Sequence, residues 1–135
     1  MSSKEIIEKE HNNQYEVGQI WEYETRTGEE KSTLTIVNIE KNNLYDTIIN
    51  VYINNLKIKN QAVKNGISDT IQHLPFGIKS INNSVTKLIG FTKTLPDYNE
   101  GFNEWKSLYD IGEAGIFDIT TLKETIDLME ITLNQ

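Results

Sequence analysis

The feature that most constrains the fold is a strict alternation of side chains between residues 16 and 26. In an extended chain, one side would carry Val17, Gln19, Trp21, Tyr23 and Thr25, and the other Ile20, Glu22, Glu24 and Arg26. Period-two alternation with aromatic residues on one side is typical of a half-buried strand, so Trp21 and Tyr23 are expected in the core. Residues 27–30 supply a turn, because Gly28 can adopt a positive φ angle.

Further strands are expected over 31–40 and 44–56, separated by a turn that begins at Lys41. The later one is rich in β-branched residues, which favour strands. A loop over 57–67 and a fourth strand over 69–74, ended by Pro75, complete the N-terminal part. Sequential strands joined by short turns predict an antiparallel meander of three or four strands, which can curl into a small half-barrel.

The pattern changes to a helical one after Pro75. Apolar residues spaced three, four and three apart predict a helix over 78–89, with Gly90 as its C-terminal cap; they are Ile78, Ile81, Val85 and Leu88. A second helix is expected over 98–110, ended by Gly112 and Gly115, and a short extra strand over 116–119. Thr121 and Glu124 fit a capping box that begins a last helix, whose apolar residues are Leu122, Ile126, Met129 and Leu133.

These elements predict an α+β fold in which the sheet packs against C-terminal helices. The chain is long enough for one domain over residues 1–135, with a short, loosely docked helix within residues 1–14. The expected core comprises Ile20 or Trp21, Leu34, Ile36, Ile49, Val51, Ile53, Val85, Leu88, Trp105, Leu108, Ile126 and Met129.

Composition and charge exclude several functional classes. The chain has no cysteine, which rules out disulfides, thiolate metal sites and cysteine nucleophiles. It shows neither a secretory signal nor an apolar run long enough to span a membrane, so a cytoplasmic location without membrane contact is expected. The net charge is −7, and residues 94–135 alone hold nine acids against Lys106 and Lys123. Such a segment repels phosphate backbones, so no nucleic-acid partner is expected, whereas a basic protein partner would suit it.

Three segments resemble a family of small bacterial proteins of uncharacterised function. They are residues 17–23 (Val-Gly-Gln-Ile-Trp-Glu-Tyr) with Arg26 and residues 28–30 (Gly-Glu-Glu), residues 73–76 (His-Leu-Pro-Phe), and Trp105-Lys106 through residues 112–117 (Gly-Glu-Ala-Gly-Ile-Phe). The resemblance implies one bacterial domain over most of the chain. It brings neither an activity nor assigned site residues.

Arg26, the only arginine, is the first candidate site residue because it lies beside the turn with Glu29 and Glu30. A guanidinium can grip a carboxylate or phosphate with two parallel hydrogen bonds, which would make this turn an anion or partner contact. The alternative is a cross-strand ion pair with Glu24, Glu29 or Glu30. Tyr23, with Trp21, could instead form an exposed aromatic platform for a base or ligand, although a core position is the stronger expectation.

His73 is the other candidate, at the expected strand–helix transition. A catalytic histidine needs an orienting carboxylate and a nucleophile or substrate, and no such constellation surrounds it in the sequence. A structural, hydrogen-bonded histidine is therefore the stronger interpretation. No spacing typical of a metal site or a phosphate-binding loop occurs, so no metal or cofactor is expected.

Two functional hypotheses remain at this point. The first is a non-enzymatic interaction module, comparable in charge and size to an immunity protein or a nuclease inhibitor. Its acidic C-terminal surface would comprise Asp97, Glu100, Glu104, Asp110 and Glu113. The second is a small-molecule site or enzyme at the sheet–helix junction, which requires Arg26, Tyr23 and His73 to converge. Oligomeric state is left open.

Overall fold

The computed structural model describes residues 15–41 and 47–135 of the chain. Along these residues the strands are β1 (Gln19–Tyr23), β2 (Leu34–Glu40), β3 (Ile48–Ile53), β4 (Ile58–Lys59), β5 (Ile67–Ser68), β6 (Ile71–Gly77) and β7 (Val85–Phe91). The helices are α1 (Ile78–Ser84), α2 (Asn99–Asp110) and α3 (Leu122–Leu133). The short N-terminal helix expected within residues 1–14, and residues 42–46 of the expected turn and third strand, lie outside the described residues.

Five antiparallel strands form the main sheet in the order β6-β3-β2-β1-β7. Cross-strand pairs Trp21–Leu34, Leu34–Ile53 and Ile53–Ile71 run as one row across four strands. Because directly paired residues share a face of a sheet, this row is a continuous apolar surface. The α+β class and the meander are confirmed with five strands, of which β7 lies where the sequence predicted the end of a helix.

The fourth strand does not end at Pro75, as predicted, but continues to Gly77. Proline lacks an N–H donor and is tolerated on an edge strand, and β6 is an edge of this sheet. The Pro75 carbonyl accepts from Phe117 N–H at 3.0 Å, and Gly77 N–H donates to the Phe117 carbonyl at 2.8 Å. The extra strand expected over 116–119 is thus reduced to a single parallel bridge between Phe76 and Phe117, which covers part of this edge.

The helix predicted over 78–89 is wrong beyond Ser84, and Gly90 lies within a strand rather than at a helix cap. β7 pairs with β1 through Tyr23–Val85, Trp21–Leu88 and Gln19–Phe91, with two irregularities that leave an extra residue in β7 each time. Because of these bulges, the residues on one face of β7 are three positions apart in the sequence; they are Val85, Leu88 and Phe91. A bulged strand thereby imitates the apolar spacing of a helix.

The prediction of a loop over 57–67 is also partly wrong, because β4 and β5 form a small antiparallel pair in this segment. Ile58 is buried there, and Leu56 just before β4 is buried as well. The main core includes both of these side chains. This small sheet therefore extends the core rather than leaving the segment in solvent.

The helices cover both faces of the main sheet. Ile81 of α1 and Leu122 and Ile126 of α3 belong to the main core with the apolar row. α2 packs on β6 through Gln72 and His73, which lie between the core residues Ile71 and Leu74 and point to the opposite face. The predicted bounds of α2 agree with the structure, and α3 begins with the expected capping box of Thr121 and Glu124.

Most of the expected core is buried, including Trp21, Tyr23, Val85, Trp105 and Ile126. Ile20 is partly buried, so Trp21 is the core residue of that pair. Met129 is partly buried against the core. Leu88 and Leu108 were predicted wrongly, since their exposed fractions are 44% and 39%. No helix in the described part of the chain is long and apolar enough to cross a membrane.

Candidate functional site

The turn after β1 brings Arg26 and Glu29 onto the same side. Glu29 N–H donates to the Arg26 carbonyl at 3.0 Å, and Ser32 N–H donates to the Glu29 carbonyl at 2.9 Å, so two turns follow each other. Gly28 lies inside the first of these turns with φ +90°, a conformation that disfavours any side chain. Within this turn the guanidinium of Arg26 and the carboxylate of Glu29 meet.

Arg26 is saturated by carboxylates. Its Nε and Nη2 atoms donate to the two Glu29 oxygens, each at 2.8 Å. Nη1 contacts Asp127 at 3.2 Å and Glu130 at 3.4 Å, both on α3. The hydrogen bonds that Arg26 donates to Glu29, and then those to Asp127 and Glu130 of α3, raise the pKa of Arg26 above its already high usual value. The ion pair with a glutamate that the sequence offered as the alternative is present, although it forms within one turn rather than across strands.

Glu29 is the residue that sequence analysis undervalued. Only 2% of Glu29 is exposed, yet it carries a carboxylate. The Oε2 atom accepts the Lys57 backbone N–H at 2.7 Å in addition to the Arg26 donor. A buried charge is tolerated when it is paired and its oxygens are hydrogen-bonded, and both conditions hold here. The signal available in the sequence was the spacing of arginine and glutamate around a glycine turn.

Glu30, in contrast, is exposed and lines an open groove of about 510 Å³. The lining residues are Gly28, Glu30, Lys31, Asn55, Leu56, Lys57 and Asp69. The Glu30 carboxylate accepts the Gly28 N–H, so it closes the turn locally. Two acids, Glu30 and Asp69, and two lysines, Lys31 and Lys57, line this groove, so its charged lining favours neither anions nor cations.

Tyr23 serves the core through a hydrogen-bond chain. Its hydroxyl lies 2.7 Å from Ser32 Oγ, and Ser32 Oγ donates to the Asn54 carbonyl at 2.6 Å. The Tyr23 hydroxyl is therefore the donor to Ser32. Burial raises the pKa of Tyr23 to about 12, so the phenol stays protonated at neutral pH. The core position expected for Tyr23 is confirmed.

His73 lies in a polar pair of residues on the opposite face. Between paired Ile53–Ile71 and Val51–Leu74, β6 carries one residue more than β3, and this bulge places Gln72 and His73 side by side toward α2. Gly101 of α2 approaches closely here, because an added Cβ would lie 3.1 Å from Gln72 Oε1 and 3.2 Å from His73 Cβ. Gln72 Oε1 accepts the Gly101 N–H at 2.8 Å.

A buried asparagine holds the His73 ring. Asn50, which is fully buried, donates from Nδ2 to Asn38 Oδ1 at 3.2 Å, so its Oδ1 accepts from His73 Nε2 at 2.7 Å. The neutral ring is thus the Nε2–H tautomer. Phe102 and Trp105 of α2 pack on this ring at centroid distances of 5.5 and 5.3 Å. Burial lowers the pKa of His73 to about 4, so the ring is uncharged at neutral pH.

The candidate residues form two separate groups. Arg26 and Tyr23 belong to the core side and to α3, whereas His73 lies under α2 on the other face of the sheet. No hydrogen bond or ion pair found within residues 15–41 and 47–135 joins the two groups. The structure does not bring Arg26, Tyr23 and His73 into one pocket.

The five acidic residues expected on a surface are all exposed: Asp97, Glu100, Glu104, Asp110 and Glu113. Lys106 neutralises one of them, because its Nζ contacts Asp110 at 2.8 Å and Glu40 at 3.1 Å. These two hydrogen bonds, with that to Asp110 the larger cause, raise the pKa of Lys106. The described part of the chain contains no cluster of His, Cys, Asp or Glu side chains able to hold a metal ion.

Comparison with known proteins identifies no relative that shares this site. No family model, curated protein or solved structure matches the chain. The resemblance to uncharacterised bacterial proteins therefore stays a prediction.

Proposed function

We propose that this protein is a non-enzymatic interaction module that binds a basic partner protein through one face of α2. The surface is called the α2 stripe and comprises Glu100, Glu104 and Leu108 of α2, with Asp97 just before the helix and Ile111 at its C-terminal cap. Residues four or three apart lie above one another on a helix, so Glu100, Glu104 and Leu108 share one side. The opposite side of α2 carries Phe102 and Trp105, which pack on His73.

The observation that carries the proposal is the mixture of side chains on the α2 stripe. Its carboxylates are exposed, and so are its apolar residues, with exposed fractions of 39% for Leu108 and 67% for Ile111. Protein interfaces combine apolar contact area with polar and charged residues. The apolar residues would supply contact area, and the acids would select a cationic partner and speed the encounter.

The charge distribution supports the same proposal. Residues 94–135 hold a net charge of −7, equal to that of the whole chain. Lys106, the only cation on α2, is already engaged by Glu40 and Asp110. The field of the α2 stripe therefore remains negative. An immunity protein or inhibitor directed against a basic enzyme such as a nuclease would have this charge layout, an analogy of charge and size only.

The alternative, a small-molecule site or enzyme at the sheet–helix junction, has less support. It needs a free guanidinium, and the Arg26 guanidinium contacts three carboxylates. It also needs His73 nearby, and His73 lies under α2. The groove beside Glu30 has a volume within the usual range for small ligands, about 300 to 1,000 Å³. None of Arg26, Tyr23 and His73 lines it.

The proposal is tested with two charge-matched double variants. Glu100→Lys with Glu104→Lys changes the net charge from −7 to −3, and so does Glu16→Lys with Glu24→Lys at exposed positions outside the stripe. Each immobilised protein is exposed to cell extract from the source organism and eluted with increasing salt. We expect the wild type and the Glu16/Glu24 variant to retain the same basic protein, released by salt, and the stripe variant to lose it. Equal retention by both variants would contradict the proposal.

A further inference from the structure

A second surface lies one element further along, between α3 and the segment that bridges to β6. An apolar groove of about 240 Å³ is lined by Phe117, Thr125, Leu128, Met129, Thr132 and Leu133. It is called the α3 groove. Thr125, Leu128 and Thr132 lie on one flank of α3, whereas Asp127 and Glu130 on the other flank bind Arg26. The Arg26 contacts therefore hold α3 in place without occupying the groove.

The surroundings of the α3 groove combine exposed apolar and acidic side chains. Leu128 is 51% exposed, and Ile119, two residues after Phe117, is 84% exposed. Asp118 and Glu124 are exposed; Asp118 follows the lining residue Phe117 in sequence, and Glu124 lies one helical turn before the lining residue Leu128. No salt bridge within residues 15–41 and 47–135 engages either carboxylate. Lys123 is the only cation within residues 111–135.

We infer that the α3 groove seats an apolar side chain from a cationic amphipathic segment of the partner protein, an inference that rests on the proposed interaction function. The volume lies below the range of about 300 to 1,000 Å³ typical of small-molecule pockets, so it suits a side chain better than a free ligand. Apolar lining residues provide the burial that anchors such a side chain. Lysine or arginine residues beside the anchor would face Asp118 and Glu124.

A second copy of this chain fits the groove less well. Two copies brought together here would place Asp118 and Glu124 of each beside the same residues of the other, and like charges across an interface disfavour association. The segment 94–135 as a whole has an excess of seven negative charges, which adds to this repulsion. Charge complementarity therefore selects a cationic partner over self-association.

The test uses a defined probe, a fluorescein-labelled amphipathic helix of about 18 residues built from leucine and lysine. A control peptide has serine in place of leucine, with the same charge. Binding is followed by fluorescence anisotropy to the wild type and to two groove variants. Leu128→Asn removes an apolar wall, and Thr132→Phe fills the groove without changing charge. Ile131→Asn, on the same helix but not in the groove, is the matched control.

We expect about a tenfold loss of affinity in both groove variants, less than about twofold in Ile131→Asn, and weak binding of the serine peptide to all proteins. Circular dichroism checks that each variant is folded. Absence of leucine-peptide binding, or equal binding by groove variants and control, would overturn the inference. Either result leaves the α2 stripe intact, because that surface is tested separately with the Glu100 and Glu104 substitutions and the natural partner. Retention of the natural partner by the Glu100 and Glu104 variant would instead overturn the proposed function.

Discussion

Arg26 and Glu29 form a two-point ion pair within a single turn, with both N–O distances at 2.8 Å. The pair does more than close the turn. Glu29 also accepts the Lys57 backbone N–H, and Arg26 also reaches Asp127 and Glu130 of α3. Three parts of the chain that are distant in sequence are thereby connected through two side chains. The only arginine is consequently a structural residue.

Arg26→Ala should be strongly destabilising, because it leaves the buried Glu29 carboxylate without its charge partner. We expect a loss of about 3 kcal/mol in the free energy of unfolding, measured by urea titration. Lys64→Ala, which removes an exposed cation, should change it by less than about 0.5 kcal/mol. Adding Glu29→Ala to Arg26→Ala should cost much less than the sum of the single variants. Additive effects, each below about 1 kcal/mol, would show that the pair is not the main stabilising contact.

Gly101→Ala should destabilise the protein even though alanine favours helices. In an exposed helix interior this change stabilises by about 1 kcal/mol. Here the new Cβ would lie 3.2 Å from His73 Cβ, a fixed atom of the bulged strand. We expect a net loss of about 1 to 2 kcal/mol by thermal and urea unfolding. Gly115→Ala, with no atom within 4 Å of the added Cβ, is the matched control and should be nearly neutral. A gain in stability for Gly101→Ala would mean that α2 sits further from β6.

Protonation of His73 should lower the free energy of unfolding in mild acid. Its pKa is lowered from 6.5 to about 4 by burial, so the unfolded chain binds more protons between these values. The stability it contributes is fully present above pH 6.5 and is lost as pH falls through this window toward the folded pKa. Allowing for partial exposure of the ring, the loss is on the order of 1 kcal/mol.

The measurement compares wild type with His73→Gln, which retains a donor for Asn50 but does not titrate. Urea unfolding at about pH 7 and about pH 4.5 should show a smaller drop in the variant than in the wild type. The difference between the two proteins isolates His73, because every other titrating group is common to both. The same drop in both would rule out His73 as a contributor to the acid sensitivity.

Thr121→Ala should lower the free energy of unfolding by about 1 kcal/mol, because Thr121 Oγ1 accepts the Glu124 N–H at the start of α3. Since α3 forms the α3 groove, this variant should also weaken binding of the leucine–lysine peptide. Thr132→Ala alters an exposed threonine whose hydroxyl only returns to the Leu128 carbonyl within the helix, and should change stability by less than about 0.5 kcal/mol. Equal costs for both would argue against the capping box as the source.

Several elements could be predicted because their signals are local. Alternation around Trp21 and Tyr23, the helix expected over 98–110, and the Thr121–Glu124 capping box each depend on residues a few positions apart, and each is present in the structure. β7 could not be predicted, because its bulges repeat one face every third residue at Val85, Leu88 and Phe91. Only pairing with β1, over 60 residues earlier in the chain, distinguishes such a bulged strand from a helix.

The candidate site likewise has features set by local sequence and features set by long-range contacts. The sequence by itself determined the acidic charge of the C-terminal third and limited the local partners of Arg26 to Glu24, Glu29 and Glu30, since charge counts and turn signals are properties of neighbouring residues. Only the tertiary structure decided that Glu29 is buried, that α3 saturates Arg26, and that His73 lies on the opposite face from Tyr23. Burial and long-range pairing depend on which surfaces meet after folding, so no local pattern specifies them.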